Sequence, residues 1–292
     1  MVSRLAFVCV LSCLLVVGCA SKPPSNLEAT KTAYVPIVGQ GALLGRDQDG
    51  EPPFSKFDDG EDGTRGGPLA GRTLQVSSLS EIRLRDKEVI LTFDDGPVPG
   101  KTDNVLATLS RFGVKATFLM VGQMASSYPS IAARVARQGH SIGGHSFNHA
   151  NLANAGSTRA QTEILNGNAA IARATGIKVG FFRFPYLADT GTLRRAVEDR
   201  GLVILDVDID SKDYFKSGPE TVAARTMAQV RARRKGIILM HDIHARTAAM
   251  LPSLLSQLKA GGYKVVALQY RRSRMPQLLV SAEDAESKPR QM

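Results

Sequence analysis

The chain has 292 residues, 43% of them hydrophobic, a formal net charge of +10, three cysteines and no tryptophan. That length and apolar content are enough for one or two domains with a proper core. All three cysteines, Cys9, Cys13 and Cys19, fall at the N-terminal end, so the body of the chain has no disulfide partner, no thiolate metal ligand and no cysteine nucleophile.

Arg4 is followed by an apolar run from Leu5 to Val17 and then by Gly18-Cys19-Ala20-Ser21, the pattern of a secretory signal. Val16-Val17-Gly18-Cys19 is similar to a bacterial lipobox. This predicts a signal peptide over 1–18 and a lipidated Cys19, hence an exported protein anchored to the bacterial membrane by its acyl chains. Residues 19–85 are rich in Pro, Gly and acidic residues and read as a flexible tether. The basic excess lies mostly after Arg85, with clusters at Arg231-Arg233-Arg234-Lys235 and Arg271-Arg272-Arg274. In an exported protein this argues against nucleic acid as a partner. It leaves an anionic envelope polymer, lipid head groups or a plain solvated face.

From residue 86 to 269 strand and helix patterns alternate. Expected strands are Val89–Phe93, Ala116–Val121, Ser141–Gly144, Val179–Phe184, Val203–Val207, Gly236–Met240 and Tyr263–Leu268. Helical periods begin at Thr102, after Ser157-Thr158, near Pro219 and after Thr247, the last carrying Leu251, Leu254, Leu255 and Leu258 and stopping at Gly261-Gly262. Such alternation means parallel strands with helical crossovers, either an open doubly wound sheet or a barrel, and seven strands fall short of an eightfold barrel. Residues 270–292 read as a polar C-terminal tail.

Five polar clusters punctuate this α/β domain, each at or after a strand: Asp94-Asp95, His145 to His149, Arg183 to Tyr186, Asp210 to Tyr214, and His241-Asp242. In parallel α/β folds the strand ends open onto one face, so these clusters should converge. Two adjacent carboxylates at the end of the apolar run Val89–Phe93 need a cation or a proton to relieve their repulsion. Phe57-Asp58-Asp59-Gly60 repeats the letters without the strand and reads as a solvated loop. His145 and His149, four apart, would share one side of a helical turn, and with Asp95 they supply three ligands for zinc or a similar ion. A bound cation lowers the pKa of the water it holds towards roughly 7, and Asp94 is the candidate base. Arg183 could pair with Asp94 and fix its orientation. His241 is the candidate acid, with Asp213 to hold it and Asp210 as the second choice. His140 reads as structural, and His244 as an exposed imidazole rather than part of the cleft rim.

Thr92-Phe93-Asp94-Asp95-Gly96, His145-Ser146-x-x-His149, Arg183-x-Pro185-Tyr186, Asp210-x-x-Asp213 and Leu239-x-His241 together resemble the five ordered motifs of the polysaccharide deacetylases, the NodB-homology group or fourth family of carbohydrate esterases. The resemblance covers about Lys87 to Leu268. It implies a distorted (β/α)7 barrel and metal-dependent removal of N-acetyl groups from an acetylated glycan polymer, usually one of N-acetylglucosamine, with peptidoglycan as the default. By the family's pattern Asp94 is the base, Asp95, His145 and His149 hold a divalent metal (Zn2+ first, with Co2+ or Ni2+ as alternatives) and His241 is the acid. The backbone N–H of Tyr186 would join in stabilising the oxyanion, and Leu239 and Tyr214 would wall the acetyl pocket. Many members carry Trp where this chain has Tyr214.

Two rival readings stand beside this one. Gly139-His140-Ser141-Ile142-Gly143 fits the G-x-S-x-G elbow of a metal-independent serine esterase, with Asp213 and His241 completing a triad. A non-catalytic lipoprotein that binds glycan is the other, although every expected base, acid and ligand position holds a competent residue.

Overall fold

The computed structural model describes residues 68–272. The expected signal peptide, Cys19, the Asp58-Asp59 pair and the tail beyond residue 272 lie outside these described residues.

Among the described residues nine strands and seven α-helices follow in chain order: β1 Ala70–Val76, β2 Glu88–Asp94, α1 Lys101–Arg111, β3 Thr117–Met120, α2 Gly122–Ser127, α3 Pro129–Arg137, β4 Ser141–Gly144, α4 Ser157–Thr175, β5 Phe181–Phe182, α5 Gly191–Glu198, β6 Val203–Ile204, β7 Ile209–Asp210, α6 Pro219–Arg233, β8 Gly236–His241, α7 Ala245–Ala260 and β9 Lys264–Tyr270. Every pairing is parallel. β8 lies along β2 from Val89 to Asp94, and β2, β3, β4, β5 and β6 follow in order. β7 then pairs with β8, so the sheet curls back on itself. The one rung missing from this ring of seven strands is between β6 and β7. The extended stretch 203–210 spends its first residues on β5 and its last on β8, which shortens both ladders. That break is the distortion in a (β/α)7 barrel.

Alternation along each strand divides the core in two. Val89, Leu91 and Phe93 of β2, Phe118 and Met120 of β3, Phe182 of β5 and Ile238 and Met240 of β8 face outward and pack under the helices. Ile90, Leu119, Phe181, Val203, Leu205 and Ile237 face inward and fill the ring. α7 closes the outer layer with Leu251, Leu254, Leu255 and Leu258, all fully buried at the i, i+3, i+4, i+7 spacing.

Two features differ from the sequence expectation. The stretch read as tether up to residue 85 includes β1, which pairs with β9 and is tied to the start of β2 by a two-pronged Arg72–Glu88 ion pair. Only Val76 of β1 is buried, so the strand lacks an apolar run to announce it; the ladder to β9 makes it. At the other end Tyr270, expected to open the tail, packs on Phe181 and donates its hydroxyl to the Gly201 carbonyl (2.7 Å). β9 therefore crosses beneath the starts of β4 to β6, and with Val76, Val266 and Leu268 it plugs the lower mouth of the ring.

Since Leu254 is fully buried where α7 meets the outer layer, Leu254→Ala should lower unfolding free energy by about 2–5 kcal/mol in urea denaturation. A loss below about 1 kcal/mol would show that α7 is not integral to this layer.

Candidate active site

On β2, β5 and β8 the inward-facing positions pass from apolar to polar towards the C-terminal end. Ile90 is succeeded by Thr92 and Asp94, Phe181 by Arg183, and Ile237 by Leu239 and His241. The site thus stands on top of the inner core, at the C-terminal ends of the strands. It opens as a cleft of about 450 Å³ lined by Asp94, Asp95, His145, His149, Phe184, Tyr186, Leu187, Asp210, Tyr214, Leu239, His241 and His244.

Arg183, only 1% exposed, is the largest fully buried side chain. Its Nη1 donates to Asp94 Oδ1 (2.7 Å) and Thr92 Oγ1 (2.8 Å), its Nε to the Leu205 carbonyl (3.0 Å) and its Nη2 to the Asp206 carbonyl (3.4 Å). Thr92 passes its own hydroxyl proton to the Ile238 carbonyl (2.7 Å). Asp94, 2% exposed, is thereby neutralised from below, with Oδ2 left towards the cleft. The carbonyl of Arg183 also accepts from His145 Nδ1 (2.8 Å). A carbonyl can only accept, so His145 carries its proton on Nδ1 and presents a bare Nε2 lone pair. Burial, outweighing the nearby Asp94 and Asp95, holds the His145 pKa below its ordinary value and keeps the ring neutral.

That lone pair points at Asp95. Asp95 Oδ1 lies 3.4 Å from His145 Nε2 and 3.2 Å from His149 Nε2, and it is buried with no hydrogen-bond donor. One donor atom from each of the three lies within 4.8 Å of the others. An orphaned carboxylate oxygen between two imidazole nitrogens is the donor set of a divalent cation site, so the residues fit the metal. Asp94, next in sequence, is held through Oδ1 by Arg183, and its Oδ2 lies 3.8 Å from His145 Nε2, at the edge of this cluster.

Across the cleft, Asp213 Oδ1 accepts from His241 Nδ1 (2.7 Å), while Oδ2 accepts from the His241 backbone N–H (2.7 Å) and Thr247 Oγ1 (2.6 Å). Burial alone would pull the His241 pKa down. The hydrogen bond and charge of Asp213, with Asp94 and Asp95 behind them, overcome it and raise the pKa to about 9. Tyr214 stands edge-on to His241 (5.6 Å between rings), its hydroxyl bonded to Asp210 Oδ2 (2.8 Å), and Phe215 packs on Tyr214. Tyr186 caps His149 edge-on at 4.6 Å, from a turn with φ of 60°.

The sequence matches the polysaccharide deacetylase profile over residues 81–205. A peptidoglycan-N-acetylglucosamine deacetylase of Bacillus cereus is 34% identical over 208 residues, covering 66% of this chain and 75% of that protein. The chain belongs to the polysaccharide deacetylase family. PgdA of Listeria monocytogenes, named a peptidoglycan-N-acetylglucosamine deacetylase, is 35% identical over 183 residues, but the match covers 63% of this chain and 38% of PgdA. The chain therefore spans well under half of that relative's length. The crystal structure of the catalytic domain of a peptidoglycan N-acetylglucosamine deacetylase from Eubacterium rectale superposes with a TM-score of 0.59 at 26% identity, covering 64% of this chain and 91% of that one.

Within this deacetylase fold the expected residues Asp94, Asp95, His145, His149, Arg183, Tyr186, Asp213, Tyr214, Leu239 and His241 all gather at one cleft or directly beneath it. Cys19 lies outside the described residues. Three expectations need correction. His145 and His149 converge through a loop rather than a helical turn, with φ of 63° at Ser146 and 62° at His149. His244 is half-buried in the cleft wall, its ring 5.9 Å from His241. Ser141 opens β4 at the lower end of the barrel, where its hydroxyl bonds the Leu268 carbonyl. It cannot join Asp213 and His241 at the upper end, so the serine triad falls. His140 is structural as expected, its Nδ1 accepting from the Ala116 N–H (3.1 Å) and burial lowering its pKa to about 4. Asp210, the second choice for holding His241, instead holds Tyr214.

Sequence reasoning gave no role to Thr92, Thr247, Glu163 or Asp242. Thr92 stood only as the first letter of the Thr92-Phe93-Asp94-Asp95-Gly96 motif, and Thr247 is a single hydroxyl in a helix with no local signal. Glu163 is a buried acid on the inner face of α4, and that mismatch is a usable signal.

Two outcomes follow for the buried ions. Arg183→Met leaves Asp94 charged and unpaired, and should cost about 3–5 kcal/mol in denaturant unfolding; Arg183→Lys should recover little, because one ammonium cannot span the four acceptors. Asp213→Asn removes the group that raises the His241 pKa. The alkaline limb of the rate–pH profile, expected near 9 from the raised His241 pKa, should move to lower pH, and an unmoved limb would remove His241 as the titrating acid.

Proposed function

We propose that this protein hydrolyses the N-acetyl groups of N-acetylated sugars, N-acetylglucosamine first, in a cell-envelope polysaccharide such as peptidoglycan. The observation that carries this reading is the pairing of a buried, arginine-held carboxylate with a three-ligand cation set on one side of a cleft and an aspartate-backed histidine on the other. The cleft's rim supports a sugar polymer as the substrate. Four of the six exposed large hydrophobic residues among the described residues, Tyr186, Leu187, Tyr214 and Phe215, stand at or beside it, and such side chains cover the apolar faces of sugar rings. The peptidoglycan deacetylases among its relatives support the same polymer.

Asp95, His145 and His149 would hold the divalent cation, Zn2+ by its preference for imidazole and carboxylate, with Co2+ and Ni2+ as alternatives. When bound, the cation supplies Lewis acidity for the acetyl carbonyl and for water. Asp94 Oδ2, the oxygen free of Arg183, takes the proton of the attacking water as its oxygen bonds the carbonyl carbon. The backbone N–H of Tyr186 donates to the oxyanion that results. His241, protonated on Nε2 and fixed through Nδ1 by Asp213, then gives its proton to the departing nitrogen as the C–N bond breaks. One water is consumed, and acetate and a free amino sugar are released. Tyr214 and Leu239 wall the space for the acetyl methyl. We also propose export and membrane anchoring through lipidated Cys19, on the lipobox alone.

Acetate release from acetylated glycans, with chelation and metal add-back, tests this reading. Asp94→Asn should abolish turnover with metal still bound, and His145→Ala should lose the metal. An active Asp94→Asn, or unchanged metal content in His145→Ala, would sink the mechanism. A protein that binds glycan but releases no acetate with Zn2+, Co2+ or Ni2+ would be a binding protein instead.

A further inference from the structure

Two of the three cation ligands sit on strained backbone. Asp95 has φ of 78° and His149 of 62°, a left-handed conformation that is unfavourable for an L residue with a β-carbon. Such a conformation persists only where the surroundings impose it. In both loops the imposing group is a buried carboxylate brought from another element, and in both it grips the backbone beside the ligand rather than the ligand itself.

Asp242, 1% exposed, follows His241 at the end of β8. Its Oδ1 accepts from the N–H of Gly96, the residue after Asp95 (3.1 Å), and its Oδ2 accepts from Thr102 Oγ1 (2.6 Å). Thr102 Oγ1 in turn accepts from the Val98 N–H (2.7 Å). The loop from Asp95 to the first turn of α1 is therefore clasped at both ends by one side chain. Gly96 fits only as glycine, because an added methyl would overlap the Asp242 carboxylate. In the second loop Glu163 of α4 offers Oε2 to the N–H groups of Phe147 (3.2 Å) and Asn148 (3.1 Å), the two residues before His149. Gly167, one turn along α4, lets the helix press on the Ser146 main chain, where a methyl would overlap it.

We propose that Asp242 and Glu163 are positioning residues for the cation site. They hold Asp95 and His149 in left-handed conformations that aim Asp95 Oδ1 and His149 Nε2 at a common point, and they act through backbone N–H groups without touching the cation. This rests on the cation reading of the Asp95, His145 and His149 cluster. At Glu163, where one oxygen accepts both bonds, a carboxamide keeps that oxygen and discards the charge; at Asp242 it keeps the acceptor for the Gly96 N–H but turns an amide donor towards Thr102 Oγ1, whereas alanine discards every grip.

The test is Zn2+ affinity, measured on the full chain by competition with a chromogenic chelator well below the unfolding midpoint, beside acetate release at buffered free Zn2+. Asp242→Ala and Glu163→Ala should each weaken Zn2+ binding about 10- to 100-fold, while Glu163→Gln stays within about threefold of native and Asp242→Asn, which keeps the grip on Gly96, binds more tightly than Asp242→Ala. A scaffold role alone would lower the thermal midpoint and leave the affinity of the folded protein unchanged. Alanine variants within about threefold of native, or carboxamide variants no tighter than alanine, would overturn the proposal. Should Asp242→Ala fail to fold, Thr102→Val, which removes one of its two grips, and Glu163→Ala carry the same test, with the same thresholds for and against. A native chain that binds no Zn2+ would refute the cation reading itself; a native chain that binds tightly beside alanine variants that match it would refute only this inference.

Discussion

The site depends on one buried interaction, the Arg183–Asp94 ion pair at the floor of the cleft. A buried pair of this kind contributes little net stability, because desolvation consumes most of the attraction. What it contributes is arrangement. Arg183 spends its remaining donors on Thr92 and on two carbonyls of the 203–210 stretch, the stretch where the ring of strands is broken. The guanidinium thus bridges β2 and the seam of the barrel, and its own carbonyl fixes the tautomer of His145. One residue holds the proposed base, orients a proposed cation ligand and bridges the break in the ring of strands.

The adjacency of Asp94 and Asp95 is resolved by the end of β2. Asp94 is the last residue of the strand and points inward, in step with Ile90 and Thr92. At Asp95 the backbone turns left-handed, and its side chain meets the two histidines instead of following the pleat. Strand geometry delivers the first carboxylate to an arginine, and turn geometry delivers the second to a cation set. The same division recurs at β8, where His241 ends the strand facing the cleft and Asp242 turns away to grip Gly96.

Much of this was legible in the sequence because the strands are buried on both faces and so read as short apolar runs with a polar cluster at the end. The strands containing Val89–Phe93, Ser141–Gly144 and Gly236–Met240 were each bounded by turn chemistry, and the polar residue closing each one lay in phase with them. What escaped was set by long-range pairing. β1 carries one buried residue and exists because β9 lies beside it. The His145–His149 spacing is helical in number only; Glu163, fourteen residues beyond His149, bends that stretch into a loop. Ser141 fits an elbow by letters, but the direction of β4 places it at the wrong end of the barrel.

The same reasoning bears on Tyr214, at the position where the family resemblance implies tryptophan in many members. An indole fills its wall with one rigid ring and donates through its nitrogen. Here a smaller phenol ring covers the edge of His241, and its hydroxyl is tied back to Asp210, which draws the ring towards the β7 end. Burial, with the Asp210 hydrogen bond behind it, pushes the phenol pKa up to about 12, so the hydroxyl stays a neutral donor across the range in which His241 is an acid. Phe215 then extends the apolar wall outward from Tyr214. The wall is built from two side chains instead of one, the inner one fixed by a polar anchor and the outer one 54% exposed. Tyr214 and Phe215 thus form one continuous aromatic wall that runs from His241 out to the rim of the cleft.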